Sequence, residues 1–349
     1  MKVFLSGSSG FIGSWTLRRL IENGYDVRIS IREKTNLENI NNYLDKIEVL
    51  KGDLSDKEFA LACVDGCDAV IHTAGKVIPS INPKSNEEVM SSNYVSTHNI
   101  LFASEQKKVK KFVFLGSIFG LGKGSGREIA DESVEFNLKG LMKLIPYVRA
   151  KRMSEIIVEE FLKRGLPIVR VYPNFCLGEG DIYLSSSKAI VPFVLGVDFY
   201  IEGGINIQWV GDAASSLILA LEKGKVGEKY ISGGTNLTTY EIGEKVSQIL
   251  GRNPPRKNIN PYIFRAIAKL PYPIISVLDN LFERRMKLDL GSVIISSYGY
   301  WFYSDNKARK ELGYKSRPAE ETLKEAVMYV KKKLMKKIKA NEAEGKSVR

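Results

Sequence analysis

Short apolar runs alternate with segments of helical apolar spacing through the first half of the chain. Residues 2–5, 27–31, 47–50, 69–72, 111–115 and 167–171 are apolar stretches too short for helices and predict six strands. Leu17, Leu20 and Ile21 share one helical face that Asn23-Gly24 terminates, and further helices are predicted over 87–106 and 147–163. This alternation predicts an α/β, doubly wound parallel sheet of the Rossmann type, in which ligands bind beyond the carboxyl ends of the strands. Gly13, Asp53, Gly75, Ser117 and Pro173 all fall at or just past such ends. Beyond Pro173 the rhythm loosens. Segments 174–206 and 254–300, rich in Pro, Tyr and Ile, are expected to be irregular. They predict a smaller C-terminal substrate-binding lobe. Within it, 262–282 is apolar but interrupted by Pro271 and Pro273, which allows two short helices at most. The expected organisation is a dinucleotide-binding domain over 1–173, rejoined by part of 206–235, a lobe over 174–330, and a basic tail over 331–349.

The net charge is +12, but much of the excess lies between Lys331 and Lys339, so the charge predicts no nucleic-acid partner. Val330, Leu334 and Ile338 share a face there, and a solvated helix end is favoured over a membrane-surface segment. No uninterrupted apolar stretch approaches about 18 residues, so no spanning helix is expected. The first predicted strand leaves no room for a signal peptide. Cys63, Cys67 and Cys176 are odd in number and lack CxxC spacing, which fits free thiols in a reducing cytoplasm. With His72 and His98 as the only histidines, no metal cluster is expected.

Candidate chemistry begins at Ser6-Gly7-Ser8-Ser9-Gly10-Phe11-Ile12-Gly13, between the first strand and the first helix. Gly7 suits a tight turn, Gly10 lets backbone approach a pyrophosphate, and Gly13 permits close helix–strand packing. The helix N-terminus offers free N–H donors. A glycine triplet alone is a weak signal; in this strand–turn–helix context it reads as a dinucleotide clamp.

A second constellation is Ser117 at the end of the fifth strand with Tyr147 and Lys151. Carbonyl reduction needs an acid for the developing alkoxide. A tyrosine serves if a neighbouring ammonium brings its pKa down from about 10. Lysine four residues later lies one helical turn away on the same face. Tyr303/Lys307 and Tyr329/Lys333 repeat the spacing but lack this placement, and are expected at the surface.

With these motifs, and with Gly52-Asp53-Leu54, His72-Thr73-Ala74-Gly75, Asn93 with Thr97, Pro173 to Gly178 and Val210-Gly211-Asp212, the chain resembles extended short-chain dehydrogenases/reductases over roughly residues 1–330. The branch is that of dihydroflavonol reductases, 3β-hydroxysteroid dehydrogenases and nucleotide-sugar epimerases of the NAD-dependent epimerase/dehydratase family. The resemblance implies catalysis by Ser117, Tyr147 and Lys151. It also implies cofactor contacts from Gly7, Gly10, Phe11, Ile12, Gly13, Asp53, Leu54, Thr73, Ala74, Gly75, Asn93, Tyr147, Lys151 and Pro173. Relatives often dimerise, which makes a homodimer the expected assembly. Two departures are Ser6 in place of the frequent Thr, and Gly116 where a second Ser or Thr is frequent.

The second strand ends Ser30-Ile31-Arg32, with no acid before Arg32 and Glu33 after it. Arg32 can pair with a 2′-phosphate, so NADP(H) is favoured over NAD(H). The competing reading has Glu33 on the ribose and Arg32 as a loop charge. Sugar-nucleotide enzymes of the branch carry Asn where this chain has Phe175, and an Arg that segment 204–208 lacks. The favoured reading is reduction of a small-molecule carbonyl, with Tyr147 as general acid/base. The alternatives are a nucleotide-sugar epimerase or dehydratase with retained NAD, and a cofactor-binding protein without catalysis.

Overall fold

The computed structural model describes residues 1–78, 80–82, 85–286 and 289–343. Seven strands form one parallel sheet: β1 (Lys2–Ser6), β2 (Asp26–Ile31), β3 (Glu48–Lys51), β4 (Ala69–His72), β5 (Lys111–Leu115), β6 (Ile168–Pro173) and, after an excursion, β10 (Lys229–Ser232). Their order is β10-β6-β5-β4-β1-β2-β3. The chain therefore reverses direction between β1 and β4, where Val3 pairs with Ala69 and Ser6 with His72. That crevice is where a doubly wound sheet binds ligands.

Period-two alternation fills both faces. Val3, Leu5, Val113, Val169 and Val171 pack under the Phe11–Glu22 and Val210–Lys223 helices. Phe4, Val70, Phe112, Phe114 and Ile168 pack under helices Lys57–Val64, Ser96–Gln106 and Pro146–Lys163. The segment 87–106 is helical but not uniform: a π-helical turn, Ser91–Val95, sits inside it, with the Asn93 amide donating to the Lys76 and Val89 carbonyls. Such turns concentrate at functional sites.

The lobe is built on β9 (Gly204–Trp209), which pairs antiparallel with β11 (Thr235–Thr238) and parallel with β7 (Phe175–Leu177) and β13 (Tyr300–Trp301). A second pair joins β8 (Phe199–Ile201) to β12 (Lys257–Ile259). The expectation of irregular structure over 254–300 is corrected. Helices Pro261–Ile267, Tyr272–Met286 and Leu290–Ser297 fill most of it. Two carry side-chain caps: Asn260 accepts from Tyr262 N, with Pro261 at the first helical position, and Asp289 accepts from Ser292 N. The final helix, Ala319–Ala343, runs without a break from the lobe into the lysine-rich segment, and buries Val330.

The three cysteines are free and buried. Tyr303 is also corrected: it is buried and donates to the Gly122 carbonyl at 2.6 Å, tying the lobe to the loop after β5. Tyr329 is half-buried on the last helix. Neither residue lines the cavity described next.

Candidate active site

A cavity of about 1170 Å3 runs from the glycine-rich turn across the carboxyl ends of the sheet strands and beneath the lobe. At its start, Gly7 has φ +70°, and a Cβ there would lie 2.6 Å from the Ala74 nitrogen. A Cβ on Gly13 would lie 2.0 Å from the Gly7 carbonyl oxygen. Both glycines are required by the protein's own packing. Gly10 differs: its Cβ would meet only the Gly7 oxygen, at 3.2 Å. Gly10 is also the N-cap of the Phe11–Glu22 helix, which has no side-chain cap and no acid in its first turn. The unpaired N–H groups and the positive helix end thus face the cavity with nothing of the protein answering them, which fits an anionic pyrophosphate.

The strand ends beside this turn are locked by a buried relay. The Ser6 hydroxyl oxygen accepts from the Thr73 and Ala74 N–H groups and lies 2.8 Å from His72 Nδ1. His72 Nε2 lies 3.0 Å from Thr97 Oγ1, whose own proton goes to the Asn93 carbonyl. Thr97 must therefore accept from Nε2–H, and Ser6 must donate to Nδ1. Burial, with the Lys151 charge adding to it, pushes His72 down to about 3, so the ring is neutral and the relay is complete. The Ser6 departure keeps the one hydroxyl this arrangement needs.

Arg32 stands at the rim where β2 ends, half-exposed, with Nη1 3.9 Å from Asp53 Oδ2. Glu33, Lys34 and Thr35 line the rim with it. Asp53 Oδ1 accepts from both the N–H and the hydroxyl of Ser55; against the upward push of burial, these bonds and Arg32 hold the carboxyl below its ordinary value. Phe11, Ile12, Leu54, Thr73, Ala74, Gly75 and Pro173 all line the cavity. Asn93 does not. It lies behind Gly75, buried, with Oδ1 unpartnered and only 2.5 Å from where a Gly75 Cβ would stand. It sits in the π-helical turn, and its side chain backs the Gly75 wall of the cavity.

Ser117, Tyr147 and Lys151 converge on the cavity's middle. Ser117 caps the short Ile118–Leu121 helix, its oxygen accepting from Phe119 N at 3.3 Å, so its proton is left to donate. Tyr147 follows Pro146 at the head of its helix, and the Lys151 ammonium stands 5.8 Å from the centre of its ring. The direction of the phenol's pKa is opposite to that expected. Burial pushes Tyr147 up to about 12, a hydrogen bond with Ser117 pulling the other way. Burial pushes Lys151 down to about 8, with the Glu155 charge resisting. In this arrangement desolvation sets the direction of the phenol's shift.

Sequence reasoning missed Glu155, one further turn along the same helix. It is buried, accepts the Tyr172 hydroxyl proton at 2.7 Å, and is pushed up to about 7 by burial. Its Oε1 would stand 2.8 Å from a Cβ on Gly116. The Gly116 departure is thereby explained: the Glu155–Tyr172 pair occupies the space. The spacing of 147, 151 and 155 was the available signal. Asp181 was missed as well; its carboxylate accepts from the N–H groups of Ser185, Ser186 and Ser187 and shapes the loop over the cavity. Beside Tyr147 the wall is aromatic: Phe119 lies 5.8 Å from Tyr147, 6.2 Å from Phe175 and 5.0 Å from Trp301 between ring centres. Asp212 accepts from Arg317 N at 2.7 Å and serves the fold. Among the described residues no group of three His, Cys, Asp or Glu side chains could hold a metal ion.

Residues 3–195 match the model of the NAD dependent epimerase/dehydratase family. A Synechocystis sp. protein provisionally named a dihydroflavonol 4-reductase is 28% identical over 331 residues, which cover 93% of each chain. Vestitone reductase of Medicago sativa is 28% identical over 278 residues, 74% of this chain and 83% of its own. Among solved structures, that of gox2253 superposes with a TM-score of 0.78 at 28% identity, covering 95% of this chain and 98% of the other.

Proposed function

The chain belongs to the NAD dependent epimerase/dehydratase family and is an NAD(P)-dependent extended short-chain dehydrogenase/reductase; from that premise we propose that it uses NADP(H) to reduce the carbonyl of a largely apolar small molecule. The observation that carries this reading is the apolar wall beside Tyr147: Phe119 and Phe175 line the cavity, and Phe119 packs against the phenol ring and is backed by the buried Trp301. A buried hydroxyl pushed up to about 12 keeps its proton at neutral pH, and an alkoxide developing beside it is the stronger base. A proton donor in that state suits reduction. Oxidation of an alcohol would start from the phenolate, the form that burial disfavours.

The residues divide the work as follows. Gly7, Gly10 and Gly13 with the helix N-terminus hold the pyrophosphate, and Asp53, Leu54 and the 73–75 segment line the adenine-to-nicotinamide path. Arg32 and Lys34 give the 2′-phosphate its charge partners. When bound, the cofactor supplies the hydride. Ser117 donates a hydrogen bond to the substrate oxygen and Tyr147 Oη delivers the proton. Lys151 holds positive charge near the phenol as it loses that proton. Phe175 offers no hydrogen bond to a diphosphosugar, which sets this reading against the epimerase alternative.

The test is turnover of purified protein with NADPH or NADH and a panel of aromatic, aliphatic and sugar carbonyls. Net NADPH oxidation with apolar carbonyls supports the proposal. Sugar-nucleotide interconversion with retained NAD and no net turnover overturns it.

A further inference from the structure

The proposed reduction gives no task to Glu155. It is 2% exposed and sits one helical turn past Lys151 on the Pro146–Lys163 helix. Its side chain lies in a slot between the two glycines that bracket Ser117. A Cβ on Gly116 would stand 2.8 Å from its Oε1, and one on Gly120 would stand 2.8 Å from its Cγ and 2.9 Å from the Lys151 carbonyl oxygen. The two glycines therefore let the Ser117 turn close directly onto this stretch of helix. The Tyr172 hydroxyl fixes Oε2 at 2.7 Å, whereas Oε1 is buried without a hydrogen-bond partner. A buried carboxylate with one oxygen unanswered is costly unless a cation stands near.

Lys151 has the complementary deficit. Among the described residues no carboxylate makes a direct ion pair with its ammonium, which leans back over the Tyr147 ring. Glu155 is the acid whose charge reaches it. Helical side chains tilt toward the N-terminus and stack at four-residue spacing, so Glu155 leans over the turn that carries Lys151. Tyr147, Lys151 and Glu155 thus form a column of phenol, ammonium and carboxyl. The other charged and titratable groups facing Glu155 are Glu159 on its own helix, Arg170 and Tyr172 on β6, and Lys229 on β10. Arg170 is taken up by Glu159 at 3.4 Å and by the Gly227 carbonyl at 2.6 Å. His72, on β4, faces Lys151 as a neutral ring.

We propose that Glu155 is a positioning residue for the reduction: its carboxylate, held by Tyr172 in the slot beside Ser117, keeps the Lys151 ammonium charged as the phenol loses its proton. The proposal rests on the carbonyl-reduction reading, so its first test needs no turnover. Protein carrying carbon-13 at lysine Cε is titrated by NMR, the Lys151 signal being the one absent from Lys151→Met. Glu155→Gln keeps the size of the side chain and an oxygen for Tyr172 but removes the charge. In this variant, still melting cooperatively, Lys151 should titrate roughly one pH unit lower than in wild type. Tyr172→Phe, which strips the carboxylate of its hydrogen bond, should move the midpoint the same way by less. In steady-state assays of Glu155→Gln with NADPH, the alkaline fall of kcat should move down with the Lys151 midpoint while KM for NADPH holds. Equal Lys151 midpoints in wild type and Glu155→Gln overturn the proposal and leave Glu155 a packing residue. A kcat profile that stays in place while Lys151 shifts overturns it too. A shifted midpoint in a protein whose wild type reduces no carbonyl upholds the hold of Glu155 on Lys151 and overturns the carbonyl-reduction reading instead.

Discussion

Gly13→Ala presses directly on the turn that holds the cofactor. The new methyl would start 2.0 Å from the Gly7 oxygen, 2.8 Å from its carbonyl carbon and 2.9 Å from Thr73 Oγ1. Ordinary contact requires the Gly7 carbonyl to retreat by roughly 1 Å or more. It has little room, since Gly7 is already wedged against Ala74 and held at φ +70°. The overpacking is expected to destabilise the fold by about 1–3 kcal/mol. Because Gly10 N donates to that same carbonyl at 3.0 Å, the shift also tilts the helix N-terminus. Loss of about 1.4–2.8 kcal/mol of binding energy corresponds to a Kd for NADPH roughly 10–100-fold weaker. Gly10→Ala is the control with the opposite signature: its methyl meets only one protein atom, at 3.2 Å, so the melting temperature should hold while NADPH affinity falls. Calorimetric titration and thermal melts read both variants. Gly13→Ala that binds NADPH within about twofold of wild type and melts unchanged would refute the role given to the turn.

Other outcomes follow from the same geometry. Glu155, raised from 4.5 to about 7, keeps a proton the unfolded chain has released, so its contribution to stability falls as pH rises through that window. His72, lowered from 6.5 to about 3, refuses a proton the unfolded chain accepts, so its contribution falls as pH drops. Between about pH 5 and pH 6 the two slopes oppose. Urea unfolding of Glu155→Gln should therefore show stability rising by about 1.4 kcal/mol per pH unit there, against a flatter wild type; equal slopes would contradict the pairing. Arg32→Ala should raise KM for NADPH on the order of tenfold and leave KM for NADH unchanged in steady-state assays. An equal change in both would return Arg32 to the status of a loop charge.

The sheet was legible because each of its first six strands is an apolar run bounded by turn residues, and each candidate site residue but Asn93 reached the cavity wall. Asn93 sits in a π-helical turn, its amide donating to the Lys76 and Val89 carbonyls, and such a turn leaves no periodic trace in sequence. The lobe was less readable. Its strands are short and pair across long separations, such as Tyr300 with Gly204, and its helices are apolar on both faces. Tyr303 was misjudged because YxxxK spacing says nothing about burial. The pKa direction of Tyr147 depends on its burial, which only the folded arrangement reveals.

In the proposed reaction Tyr147 Oη gives its proton to a carbonyl oxygen held by Ser117. Steady-state NADPH oxidation by Tyr147→Phe, with an apolar carbonyl that wild type reduces, measures that step. The variant should bind NADPH as wild type does while kcat falls roughly 10²–10⁴-fold. A kcat within a fewfold of wild type, with cofactor affinity intact, would contradict it.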